Sequence, residues 1–334
     1  MSRRLNVTVL VDDVEIPPHD PEFNGKPEKP ITEYHVIQAL RSLGHSVRVL
    51  GALDVGEIAK GLTEYKPDIV FNLTEHFGGD RRFDKNIAAV LELLAVPFTG
   101  TGATGLMLAR DKHLCKELLK LHKIRIPDFI SLLSGRKTHI PKNLHYPLVV
   151  KPALEDGSEG ISNVSLVYNE TALQERAQFV HERWKQPAIA EEYIEGRELY
   201  ASVLGNKKLV VLPIRECFFE HDGSNRPVLL TYRVKWNEEY RKKWNINFGF
   251  AELEPAVLNS INRVCKKVYR ILQMRDYGRI DFRLTADNKI VILEANPNPD
   301  IAYGEEVAEA AEKAGMSYEQ LIDRILHDAL KRYE

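Results

Sequence analysis

The sequence predicts a mixed α/β protein, with a parallel α/β sheet first, an α+β region next and a strand-rich region last. Three observations lead there. Strand and helix patterns alternate from Leu5 to Thr99, the character changes near Asp111, and from Leu199 antiparallel strand candidates dominate. At 334 residues the chain is too long for one small core and fits two or three compact domains.

The N-terminal elements are read as strand Leu5–Val11, helix Ile31–Leu43 ending at Gly44, strand Ser46–Leu50, helix Asp54–Tyr65, strand Asp68–Leu73, helix Asn86–Leu94 and a short strand at Pro97–Thr99. Strands alternating with helices imply a parallel sheet. The segment Val14–Pro30, rich in proline and charge, reads as a long loop. Beyond it come helix Asp111–Leu121, strands Phe129–Leu132, Leu148–Lys151 and Ile161–Val167, helix Glu170–Trp184 and strand Ala188–Tyr193. The last region holds strands Tyr200–Leu204, Leu209–Glu216 and Arg279–Leu284, helix Pro255–Leu272 and a closing helix Tyr318–Leu330. Thr231–Phe250, crowded with Lys, Arg, Trp and Asn, is expected to be a loop over a site.

Composition excludes several classes. The chain is 44% apolar and 28% charged with a net charge of −2, so no general electrostatic case for nucleic acid exists. No apolar run approaches the roughly 18 residues of a membrane span, and the N-terminus enters its first strand without a signal-length stretch. Cys115, Cys217 and Cys265 are widely spaced and form no ligand pattern, which reads as reduced thiols in a cytoplasmic protein. No HExxH motif, GxxxxGK[ST] loop or catalytic triad pattern occurs.

The most informative stretch is Arg279–Arg283 followed by Lys289–Pro297, two strands joined by a turn at Ala286-Asp287-Asn288. Asp281 and Glu294 sit in apolar strands, where a bare carboxylate costs several kcal/mol, so each needs a cation or hydrogen bonds. With Asn296 they offer hard oxygen ligands suited to Mg²⁺, or Mn²⁺ in its place, shared with phosphate. Arg279 lies two residues before Asp281, on the same strand face, and can meet developing negative charge. The plain alternative, a hairpin with its acids in solvent, fits the apolar context poorly.

Other motifs are weaker alone. Pro147–Ala153 is an apolar strand ending at Lys151, followed by the turn Glu155–Gly160, whose Gly157 and Ser158 suit close approach to phosphate. Ala190–Leu199 runs from a strand through an acidic turn, and could offer backbone and carboxylates to an adenosine or be simply solvated. Asp111 is placed to cap a helix, with Lys112 in its first turn. His76, with Glu75, follows the strand ending at Leu73, where sheets of this kind bind ligands.

In order and spacing, Pro97–Leu119, Val149–Ser162, Glu191–Asn206, Tyr277–Leu284 (YGRIDFRL) and Ile292–Pro299 (ILEANPNP) resemble the ATP-grasp superfamily, and more narrowly the D-alanine–D-alanine ligase family. The resemblance runs from about Asp68 to Leu330. It implies an ATP-grasp fold with three domains, at 1–110, 111–198 and 199–334, ATP lying between the second and third. It also implies a homodimer acting on amino-acid or peptide substrates. Carried over, Lys112, Lys151 and Lys235 would contact ATP phosphates, and Gly157 and Ser158 would cover them. Glu191 with the backbone of Tyr193 and Ile194 would meet adenine, and Glu198 the ribose. Asp281, Glu294 and Asn296 would hold magnesium, and Arg279 would stabilise the transferring phosphoryl group or the tetrahedral intermediate. The implied reaction joins a carboxylate to an amine through an acyl phosphate.

The substrate half departs from that family. Thr74–Asp80 replaces its histidine-glycine and glycine-glutamate-aspartate signals, and Val11-Asp12-Asp13 stands where a glycine-rich turn is expected. Asp300 and Glu305 stand where the family has a small glycine and a carboxylate-binding serine. Two acids repel a carboxylate, so the acceptor is expected to differ from D-alanine and to carry a cationic or amine-rich group. The competing readings are a divergent D-alanine–D-alanine ligase and an ATP-binding module without catalysis.

Overall fold

The structure, a computed structural model, describes residues 3–12, 32–136, 140–219, 229, 231, 234 and 237–334. The Val14–Pro30 loop and Lys235 lie outside the described residues.

The N-terminal alternation gives a parallel sheet in the order β2-β1-β3, from β1 (Asn6–Val11), β2 (Ser46–Gly51) and β3 (Ile69–Asn72). Its strands are apolar on both faces because both are covered. One face packs on α1 (Thr32–Ser42), α9 (Glu306–Lys313) and α10 (Tyr318–Leu330), through Val9, Ile37, Ala310 and Leu321. The other packs on α2 (Val55–Tyr65), α3 (Asp84–Leu93) and α4 (Ala103–Arg110). The C-terminal helix therefore completes the N-terminal core.

A second, antiparallel sheet has the order β4-β7-β5-β6, from β4 (Phe129–Leu132), β5 (Leu148–Pro152), β6 (Leu166–Val167) and β7 (Ala188–Glu192). It is backed by α6 (Glu170–Trp184). The third sheet runs β11-β10-β8-β12-β13, with β9 also on β8, from β8 (Arg197–Leu204), β9 (Val210–Val211), β10 (Arg215–Phe219), β11 (Ile246–Phe250), β12 (Tyr277–Leu284) and β13 (Ile290–Pro297). Beneath it lie α5 (Lys112–Leu121) and α8 (Pro255–Ile271).

Several expectations are corrected. Ile161–Val167 is a 3₁₀ turn at Asn163–Ser165 leading into the two-residue β6, because Ser162 N donates to Ser165 Oγ at 3.0 Å and diverts the backbone from pairing. Leu209–Glu216 is two strands, β9 and β10, separated around Pro213, which cannot donate to a ladder. Pro97–Thr99 contributes one bridge, Val70 to Phe98. Thr231–Phe250 is not all loop: it contains α7 (Glu238–Lys243) and β11. Asn237 caps α7 by accepting from Tyr240 N at 2.8 Å. Helices α4 and α9 were not expected; α4 opens on Gly102 with no side-chain cap, and α9 on Glu305 likewise.

Candidate functional site

Antiparallel pairing of β12 with β13 sets Asp281 opposite Glu294 and Arg279 opposite Asn296. Alternation then puts all four side chains on one face. Arg279 donates to both carboxylate oxygens of Asp281, Nε to Oδ1 at 2.7 Å and Nη2 to Oδ2 at 2.9 Å, and Asn296 Nδ2 donates to Oδ2 at 3.0 Å. Both Arg279 and Asp281 are buried.

Lys112 and Lys151, two of the lysines predicted from sequence, converge on this face. Asp111 caps α5 by accepting from Leu114 N at 3.0 Å, and that turn aims Lys112 inward, where it is buried rather than solvated. Lys112 Nζ lies 2.8 Å from Glu294 Oε1, without hydrogen-bond alignment, so that buried oxygen has no hydrogen-bond partner. Burial pushes the Glu294 carboxyl up, but the cations of Lys112 and Lys151 outweigh it and hold the group down at about 2. Two carboxylates and an amide, with Glu294 held ionised beside Lys112, form a donor set that fits Mg²⁺ completed by phosphate oxygens. Among the described residues no group of three His, Cys, Asp or Glu side chains forms a metal cage by itself.

Lys151 Nζ lies 3.2 Å from Glu191 Oε1. Lys116, which sequence reasoning did not single out, lies 3.3 Å from Glu191 Oε2 and donates to the Leu293 carbonyl at 3.1 Å. It thus ties β7 of the second sheet to β13 of the third at the floor of the cleft between them. Burial lowers the Lys116 pKa against the opposing pull of Glu191. The signal was there: Lys116 is four residues after Lys112, the next position on the same helix face. Glu198 is not open to solvent: Arg283 Nη2 donates to its Oε2, and Tyr200 Oη donates to Oε1 at 3.3 Å.

Two cavities meet here. One, between the second and third sheets, is lined by Lys151, Ser158, Glu191–Ile194, Glu198, Asp281 and Glu294. The other is lined by Glu75, Arg81, Arg110, Gly157, Arg279, Asn296, Asp300 and Glu305. The proposed metal ligands and the adjoining Gly157 and Ser158, both with positive φ, therefore stand at the junction. A roomier cavity of about 920 Å³, beside Arg176, Phe179 and Trp184, adjoins the first one at Ile161, which lines both.

The second cavity is bordered by carboxylates. Asp300 accepts from Thr32 Oγ1 at 2.6 Å, and Glu75 pairs with Arg81 at 2.7 Å. His76 Nε2 is 3.6 Å from Asp12 Oδ2, and its Nδ1 is buried without a partner. Burial pushes Asp12 up to about 6, against the N–H groups of Glu75 and His76 that donate to it at 2.9 and 3.4 Å. Burial, then the charges of Glu75, Asp12 and Asp300, push Glu33 to about 6 as well. Both carboxyls bind protons more tightly folded than unfolded. Their contribution to stability is complete below the ordinary carboxylate range and is lost as pH rises through about 6. Denaturation between about pH 4 and about pH 6.5 is expected to show that loss, and Asp12→Asn to remove part of it. An unchanged slope in the variant would refute the assignment.

Comparison with known proteins gives the family. A family model described as D-ala D-ala ligase C-terminus matches residues 118–327. The chain belongs to the D-alanine–D-alanine ligase family. It is 33% identical over 305 residues to an uncharacterised protein, y4sG, of Sinorhizobium fredii, covering 89% of this chain and 87% of that one. It is 28% identical to the D-alanine–D-alanine ligase of Aquifex aeolicus over 295 residues, covering 87% of this chain and 92% of that protein. The crystal structure of the Bacillus anthracis D-alanine–D-alanine ligase complexed with ATP has the same ATP-grasp fold, at a TM-score of 0.76 and 20% identity, covering 99% and 98% of the two chains. Among the described residues of this family member, no helix is long and apolar enough to cross a membrane.

Proposed function

We propose that this chain is an ATP-dependent ligase that joins a carboxylate to an amine through an acyl phosphate, with an acceptor other than D-alanine. The observation that carries the reading is the junction of the two cavities at Arg279, Asp281, Glu294 and Asn296. A phosphoryl group delivered from the first cavity meets a carboxylate in the second at that point.

In this reading the adenosine lies against Glu191, Tyr193, Ile194 and Glu198, and Lys112, Lys151 and Ser158 contact the phosphates. Asp281, Glu294 and Asn296 would hold Mg²⁺, which offsets phosphate charge. The donor carboxylate attacks the γ-phosphorus, the bond to the bridging oxygen breaks, and ADP leaves. The amine then attacks the acyl carbon, phosphate leaves with the bonding pair, and the amine proton passes to solvent. Arg279 faces the charge that develops on the transferring group and on the tetrahedral oxygen, and positioning supplies most of the acceleration. No protein nucleophile is needed. Cys115, Cys217 and Cys265 are all buried, with burial pushing each thiol up, the first to about 12.

Asp300 and Glu305, with Asp12, Glu33 and Glu75 nearby, favour an acceptor bearing positive charge. The names of the ligase relatives favour D-alanine instead. Phosphate release from Mg-ATP across a matrix of amino acids, peptides and amines, with mass analysis of products, separates the two. A new amide from a cationic acceptor is expected. Efficient synthesis of D-alanyl-D-alanine would overturn the acceptor assignment, and bound ATP with no turnover would overturn catalysis.

A further inference from the structure

We infer that the cavity beside Arg176 is a second ligand site, taking a carboxylate on an apolar aromatic body, and that its occupant tightens nucleotide binding through the loop 155–160. The site itself needs only this protein. The coupling rests on nucleotide lying in the first cavity.

A charge taken out of water needs a counter-charge or a full set of hydrogen bonds. Among the described residues, buried Lys112, Lys116, Lys151, Arg215, Arg279 and Arg283 each pair with a carboxylate. Arg176 differs. It is 8% exposed and pairs with no carboxylate among those residues, and burial lowers its pKa with nothing opposing. Its Nη2 donates to the Gly160 carbonyl at 2.5 Å and to Ser165 Oγ at 3.0 Å. Nε is buried without a partner, and Nη1 bonds to no described residue. The guanidinium is thus short of one anion, and it lines the wall of a cavity of about 920 Å³.

The rest of that wall sets the body of the ligand. Helix α6 contributes Ala172, Phe179 and Trp184, and the edge strand β6 contributes Leu166 and Val167. The Arg176 guanidinium lies over the Phe179 ring, 4.7 Å from its centroid, yet Phe179 stays 47% exposed. Val164, also on the wall, is 67% exposed. Apolar surface of this kind around one buried cation fits a flat apolar body bearing one carboxylate. Glu159 and Glu175 border the cavity too, but both lie in solvent, where their repulsion is screened. Glu159 already accepts from Trp184 Nε1 at 3.2 Å.

Occupancy reaches the nucleotide through Gly160. This residue, with φ of +72°, ends the loop whose Gly157 and Ser158 stand at the junction of the first and second cavities. Arg176 grips its carbonyl, and the Trp184 ring packs so closely that a Cβ there would come within 3.2 Å of it. Ile161, next in the chain, lines both the Arg176 cavity and the first one. A carboxylate on Nη1 leaves Nη2 on Gly160 and holds the guanidinium, and with it the loop, in place. Order supplied before nucleotide arrives is order that nucleotide binding need not supply, so affinity rises.

The test uses the intact protein and isothermal titration calorimetry with 2-naphthoate and 2-naphthamide, which share a body and differ in charge. Naphthoate is expected to bind at least about tenfold more tightly, a factor that corresponds to about 1.4 kcal/mol. Arg176→Gln, which keeps a donor for Gly160, is expected to bring that ratio near one. Phe179→Ala, at an exposed position, locates the site independently: it should weaken both probes severalfold and keep the ratio. Equal affinities in the unsubstituted protein, or no heat from either probe, overturn the site. So does a ratio that survives Arg176→Gln, or affinities untouched by Phe179→Ala. With naphthoate saturating, a non-hydrolysable ATP analogue with Mg²⁺ is expected to bind at least about threefold more tightly, and by reciprocity the analogue strengthens naphthoate binding by the same factor. Unchanged nucleotide affinity overturns the coupling. Failure of the nucleotide reading looks different: the analogue gives no heat with or without naphthoate, while the preference for the carboxylate holds.

Discussion

Replacing Asp281 by asparagine is expected to lower donor-dependent ADP release by on the order of a hundredfold to a thousandfold, the usual cost of removing one preorganised contact with a transition state. Asparagine keeps the shape but removes the charge that Arg279 grips through two hydrogen bonds. Two effects then act together. The guanidinium loses its anchor and swings from the junction, and one of two carboxylates able to hold Mg²⁺ is gone. The measurement is steady-state ADP release at saturating Mg-ATP, beside nucleotide affinity with and without Mg²⁺. Affinity for ATP alone should change little, and the Mg²⁺-dependent part should fall. Turnover within tenfold of the unsubstituted protein would remove Asp281 from the site.

Lys116→Met is expected to destabilise the fold by about 3 kcal/mol, near the lower end of what breaking a buried ion pair costs. Methionine conserves the volume, so packing is not the cause. Lys116 and Glu191 are 2% and 3% exposed, so the substitution leaves a carboxylate out of water with Lys151 as its remaining charge partner. It also cuts the hydrogen bond to the Leu293 carbonyl that joins the two walls of the cleft. Urea denaturation measures the first effect and the ATP concentration dependence of turnover the second: KM for ATP should rise more than kcat falls. Adding Glu191→Gln should restore only part of the lost stability, since both charges of the pair are then gone but buried Lys151 loses its partner. Additive losses in the double variant would show that the pair is not coupled.

How much of this was legible in the sequence depends on how local each signal is. The N-terminal alternation and the helices Glu170–Trp184 and Tyr318–Leu330 are readable because periodicity and capping act within a few residues. The ladder of β12 and β13 was readable because buried acids in apolar strands demand partners. The segments that misled, Ile161–Val167 and Leu209–Glu216, are apolar runs cut by a side-chain hydrogen bond and by a proline. Thr231–Phe250 misled in the opposite direction, because β11 gains its stability from pairing with β10, a partner its own composition does not announce.

The sequence by itself determined the chemistry of this protein's donors: which strands bear acids, which turns bear glycine, and which lysines end apolar strands. Those follow from composition at fixed short spacing. Only the tertiary structure decided who meets whom. Lys116 reaches across 177 residues to Leu293 and Arg279 reaches 27 residues to Glu306, and neither pairing leaves a mark in local pattern. The reason is physical: a buried charge must find a counter-charge wherever the packed core brings one, and that choice is made by the three sheets together rather than by any one segment.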